Sequence, residues 1–283
     1  SDANFRQAHL AVREFHNMLF RKDEYDAPEF RPLRLEVLQK AANYYRGFQQ
    51  QVADDPELSA DVADAYYHLG GILQADGDRK SARDWFERSL PLWEQTVAAR
   101  PDVPTQRVLL MRTCNRLAAL YRTEGRFDET LPLYQRSLAL IGTLSDDGRG
   151  GSIDRDRAAI CSGLEKLHNR KGEYLLALDH CLQWVQIDER LCDRRDAAES
   201  DLYGFGGALR RTAQTLGSLG RTQEAANYGE RSCAVLEKIV QRDALTPRSA
   251  DSLAHSLHSL GPLYRSLGRL EDSLSILKTA STG

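Results

Sequence analysis

Apolar residues along this chain fall in a helical rhythm that ends, again and again, at a glycine. Leu69, Gly70 and Leu73, then Leu117, Ala118 and Tyr121, then Leu164 and His168, then Leu260, Gly261 and Tyr264 sit at i, i+1 and i+4. That spacing places them on one buried stripe of a helix. Each stripe runs out at a glycine, namely Gly77, Gly125, Gly172, Gly220 and Gly268, at intervals of 48, 47, 48 and 48 residues. A glycine suits a helix end because it can adopt the left-handed conformation that closes the last turn. Five such ends in near-constant register predict five copies of one unit.

A second helix is predicted to follow each glycine. Five residues on stands a small side chain, Ala82, Thr130, Ala177, Ala225 or Ser273, which lets two antiparallel helices approach closely. Four further on come Phe86, Tyr134, Cys181, Gly229 and Leu277, mostly bulky. An aromatic then precedes Arg-Ser-Leu in both 72–90 and 120–138. Trp184, where a small residue is expected, and Gly229, where a bulky one is, predict irregular packing in units three and four. Polar linkers at 53–61, 100–106, 145–152, 193–200 and 242–249 carry helix breakers or capping residues. No sustained period-2 run of β-branched residues occurs, so strands are not expected. The expected fold is all-α: a right-handed α-solenoid of antiparallel helix pairs. Residues 1–59 are expected to form N-terminal helices, a degenerate first repeat or cap. Residues 60–283 are expected to form five helix pairs in one continuous solenoid, the last of them cut short.

Leu-Gly before a turn glycine, then a small residue and an aromatic, resembles the tetratricopeptide repeat (TPR), whose standard unit is ~34 residues. A period near 48 implies longer helices. The opening "ANFRQAHLAVREFHNMLF", then "RPLRLEVLQKAANYYRGF" and the long-period repeats with a "DVP" linker, is similar to the C-terminal regions of large bacterial serine/threonine protein kinases. In those a kinase domain and a membrane segment come first. No kinase motif occurs here, so the resemblance implies a sensing or docking part rather than a catalyst. It also implies a location: cytoplasmic by default, or the extracytoplasmic side of a bacterial membrane if joined to a membrane-spanning kinase.

Composition agrees with a folded chain, at 41% hydrophobic and 28% charged. The chain begins with Ser1, which fits a segment of something longer, and no stretch approaches the ~20 apolar residues of a membrane span. A net charge of −3 gives a nucleic-acid role no support. Five cysteines without CxxC spacing read as small apolar residues in helices, so neither metal nor cofactor is expected. His255 and His258 share a helix face, yet no ligand set is complete, and Asp251 alone lies one turn earlier. The glycines of "YGFGG", 203–207, lack the strand and Lys-Ser/Thr of a phosphate loop and point to close helix approach. Trp85, Phe86 and Trp93 are spaced as core aromatics. No nucleophile stands with a base, so the chain is expected to be catalytically silent.

What remains is a surface. A solenoid of helix pairs lines an extended inner face with the first helix of each unit. Positions 13, 10, 6, 3 and 2 before each turn glycine keep to one side of that helix. They are Asp64, Tyr67, Gly71, Gln74 and Ala75; Arg112, Asn115, Ala119, Arg122 and Thr123; Ala159, Ser162, Lys166, Asn169 and Arg170; Arg210, Gln214 and Ser218; and His255, His258, Arg265 and Ser266. Six are Arg or Lys and only Asp64 is an acid, although acids outnumber bases in the whole chain. Such a face predicts docking of an acidic peptide or protein segment. The alternative is self-association through the solenoid ends, where Leu274, Ile276 and Leu277 offer apolar groups.

Overall fold

The computed structural model describes residues 55–144, 151–243 and 247–273, with isolated positions between 32 and 43. Nine helices are described: α1 Pro56–Ala75, α2 Arg79–Ala99, α3 Pro104–Thr123, α4 Phe127–Gly142, α5 Ser152–Arg170, α6 Tyr174–Cys192, α7 Glu199–Ser218, α8 Thr222–Asp243 and α9 Pro247–Ser266. No strand occurs among the described residues. The chain divides into two compact units, residues 1–145 and 146–283. In unit 1, α1 pairs with α2 and α3 with α4, while α2 packs on α3 and α1 touches α3. In unit 2, α5 pairs with α6 and α7 with α8, while α6 packs on α7, and α9 rests on α8 and α7. Each unit is therefore a stack of antiparallel helix pairs, the all-α solenoid architecture expected. Most residues expected to form the N-terminal cap, and those of the last helix beyond Ser273, Leu274, Ile276 and Leu277 included, lie outside the described residues; Leu35 packs against the α1 cluster.

The turns follow from the glycines. Gly77, Gly125, Gly172, Gly220 and Gly268 all have positive φ, between 73° and 87°. The N–H after each glycine bonds back to the carbonyl five residues earlier: Asp78 to Leu73, Arg126 to Tyr121, Glu173 to His168, Arg221 to Leu216 and Arg269 to Tyr264. This is the double-bonded helix ending that a left-handed residue makes available, and it turns the chain into the next helix within two residues. The long period has a simple source. Helices of 16–22 residues exceed those of a ~34-residue unit by about two turns each.

The small residues after the turns are all buried: Ala82, Thr130, Ala177 and Ala225 at 0% exposure and Ser273 at 2%. The recurring serine explains the repeated Arg-Ser-Leu. Ser89 donates to the Ala63 carbonyl at 2.8 Å and Ser137 to that of Met111 at 3.1 Å, each bridging the two helices of its pair. Ser232 does the same to Gly206 at 2.8 Å. Trp184 takes that place in α6 and packs among Ala158, Cys161, Ile187 and Leu191.

Volumes compensate elsewhere. A Cβ on Gly70 would lie 2.9 Å from the Phe86 ring, so the glycine makes room for that aromatic. At the matching pair in unit 2 the sizes are exchanged, with bulky Glu165 on α5 against slender Cys181 on α6, both fully buried. Gly229 leaves a gap that Leu260 of α9 fills, 2.8 Å from where a Cβ would stand. Two of the three clustered glycines of α7 serve close approach. Gly204 faces Asp188 and Gly206 faces Leu236, each at 2.9 Å from an ideal Cβ.

Candidate functional site

The first helices α1 and α3 of unit 1, and α5, α7 and α9 of unit 2, carry the residues expected to bind a partner. Much of the expected set is already engaged. Tyr67 is 7% exposed, and its hydroxyl accepts from Arg116 Nε at 3.0 Å. Arg116 Nη1 also donates to Gln74 Oε1 at 3.2 Å, and its guanidinium lies 5.2 Å from the Tyr67 ring centroid. Tyr67 and Gln74 thus hold an arginine of the next helix pair. Arg112, Asn115 and Arg122 are half-buried on α3. Burial pushes the Tyr134 phenol up, and the Arg122 guanidinium beside it pulls it back.

In unit 2 a fully buried carboxylate organises the centre. Glu165 on α5 accepts Arg211 Nε on both oxygens at 3.1 Å and Asn169 Nδ2 at 2.7 Å. Asn169 donates as well to Thr215 Oγ1 at 3.0 Å, and Arg211 Nη1 to Gln214 Oε1 at 3.0 Å. Asn169 and Gln214 therefore spend their polar groups inside the unit. Lys166 is half-buried on the same helix. Arg170, His258 and Arg265 are exposed and have no ion pair among the described residues. His255 is exposed too; its Nδ1 lies 2.7 Å from the Asp251 carbonyl and 3.4 Å from that side chain.

Arg210 differs from all of these. It is half-buried on α7 and makes neither hydrogen bond nor ion pair among the described residues. Desolvation lowers its pKa, the Arg211 cation lowers it further, and Glu165 pulls the other way. It lines a cleft of ≈ 470 Å³ between α7 and α9, with Tyr203, Gly207, Asp251, His255 and, from α8, Leu236.

Two arginines escaped the sequence pattern, Arg116 and Arg211, each nine residues before its turn glycine and each bonded to the preceding first helix. Their shared offset was the available signal. Glu165, an acid in a small-residue slot, was the other.

The cysteines are not set up as nucleophiles. All five cysteines are free thiols. Burial pushes Cys161 and Cys181 up to about 11 and Cys114, Cys192 and Cys233 up to about 12, far from a nucleophilic thiolate. No group of three or more His, Cys, Asp or Glu among the described residues is placed to hold a metal. No described helix is long and apolar enough to cross a membrane.

Residues 62–101 and 113–147 match two models of the tetratricopeptide repeat. Over those segments the chain is similar to tetratricopeptide repeats. No curated protein sequence matches the chain. Among solved structures, BtubC (BKLC) from P. vanneervenii is similar at 16% identity and a TM-score of 0.63, over 89% of this chain and 90% of that one. A run of nearly identical TPR-like repeats from Podosopora anserina is similar at 19% identity and a TM-score of 0.56, over 77% of this chain and 93% of that one. A Rap protein in complex with competence and sporulation factor is similar at 14% identity and a TM-score of 0.50, over 93% of this chain and 60% of that one. At such identities the likeness is one of fold.

Proposed function

We propose that this chain is a non-catalytic protein–protein interaction module whose first-helix surfaces take up an acidic segment of a partner protein. The observation that carries the reading is the set of cations left without counter-charge. Arg170, Arg210 and Arg265 have no ion pair among the described residues, although the chain is acidic overall at −3. A guanidinium presents a planar fork that matches a carboxylate, and several on one surface draw an acidic chain toward it. The Rap protein of similar fold, solved with competence and sporulation factor, supports this use of the fold. The resemblance to the repeat regions of bacterial serine/threonine kinases supports a regulatory or docking role beside a kinase domain. Sequencing the coding DNA upstream tests that context: a kinase domain in frame supports it, and its lack sinks it.

The docking itself is tested with pooled randomised peptides, one pool Asp/Glu-rich and one Lys/Arg-rich, passed over the immobilised chain. The acidic pool is expected to be retained and to elute as salt rises, because exposed charges are screened beyond about 10 Å at 0.1 M ionic strength. Equal retention of both pools, or retention indifferent to salt, would refute the electrostatic reading.

A further inference from the structure

The cleft between α7 and α9 has two features that packing alone does not require. The first is Gly207. A glycine inside a helix is less favourable than alanine, and close contact explains Gly204 and Gly206. It does not explain Gly207, where an added Cβ would meet nothing within 4 Å. The wall is bare at that point and opens on the cleft.

The second is Arg210, one turn along the same face from Gly207. A half-buried guanidinium without a counterion is held at a cost that an incoming anion would relieve. Glu165, the acid whose charge reaches it, already has both oxygens bonded to Arg211 and one also to Asn169. The opposite wall has the reverse polarity. Acceptors stand there: the exposed Asp251 carboxylate on α9, beside the His255 ring, whose Nδ1 lies 2.7 Å from the Asp251 carbonyl and 3.4 Å from its side chain. One wall donates and the other accepts. An acidic residue within a peptide matches both, with a carboxylate at its side-chain end and an N–H on its backbone. The volume, ≈ 470 Å³, lies within the roughly 300–1,000 Å³ of ligand sites.

We propose that this cleft is a specificity pocket for a single Glu or Asp side chain of the docked segment, its carboxylate forked onto Arg210 and its backbone against α9. The inference rests on the docking function above and adds to it a fixed acidic position.

Two measurements on the full chain test it. Thermal unfolding of Arg210→Gln without ligand is expected to show an unchanged or raised midpoint, since the cation has no internal partner to lose. A lowered midpoint would make Arg210 a structural residue and overturn the proposal. Binding is then read with two immobilised pools of randomised peptides, identical except for a central Glu in one and a central Gln in the other. The chain is expected to prefer the Glu pool by about tenfold or more, as a charge-assisted hydrogen-bonded pair allows. Gly207→Leu, which fills the cleft from an open position, and Arg210→Gln are expected to abolish that preference with helicity intact. Lys80→Glu, exposed on the second helix α2 of unit 1, is expected to leave it. A Glu preference that survives both cleft variants would overturn the pocket and leave the docking function standing. Retention of neither pool would overturn both.

Discussion

Asp188 on α6 is 3% exposed, and its Oδ2 has no hydrogen-bond partner. Burial pushes its pKa up to about 7; the Trp184 indole opposes this, and the nearby Asp201 carboxylate adds to it. The ordinary value is 3.8, so a rise to about 7 corresponds to about 4 kcal/mol at most, at about 1.36 kcal/mol for each tenfold change in proton affinity. The sign follows from proton binding. Between about pH 4 and 7 the folded chain holds this proton and the unfolded chain does not, so stability falls as pH rises. Below about pH 4 both forms are neutral and the penalty is absent; above about pH 7 it is present in full. Asp188→Asn removes the charge while keeping the shape. Urea unfolding followed by far-UV circular dichroism, on both chains at pH 4.5 and pH 8, isolates the difference from other titrating groups. The variant is expected to gain about 2–4 kcal/mol over the natural chain in going from the lower to the higher pH. A variant shifted equally at both pH values would refute the reasoning, because Asp188 would then be ionised and satisfied in the fold.

Arg211→Ala is expected to cost about 3–5 kcal/mol in the same assay, since it strands the fully buried Glu165 with Asn169 alone; the double variant with Glu165→Ala should recover part of the loss. Gly70→Ala drives a methyl to 2.9 Å from Phe86 and is expected to cost about 1–3 kcal/mol, as overpacking does; thermal unfolding reads it. Gly125→Ala strains a turn at φ 79° and is expected to cost about 1–2 kcal/mol, visible as a lowered urea midpoint.

The turns were legible because only glycine takes a left-handed helix end cheaply, and five of them in register leave little freedom. The small residues from Ala82 to Ser273 were legible for the same kind of reason: close helix approach admits few side chains. Surface chemistry was not. Tyr67 and Gln74 look like free polar groups until Arg116, 42 to 49 residues later, is brought onto them. Asn169 and Gln214 are absorbed in the same way around Glu165 and Arg211. Arg210 stands out for the lack of such a neighbour, a property of the folded surroundings that no local spacing encodes. The size exchange between Gly70 with Phe86 and Glu165 with Cys181 is also non-local, because each residue is intelligible only once its partner helix is in place.

The central claim, that the first-helix surfaces dock an acidic segment, is tested most directly by charge reversal. Equilibrium binding of an acidic-peptide pool is measured for the chain and for an Arg112→Glu/Arg210→Glu double variant of equal helicity. The account predicts retention by the chain and its loss in the variant. Retention by both would contradict it.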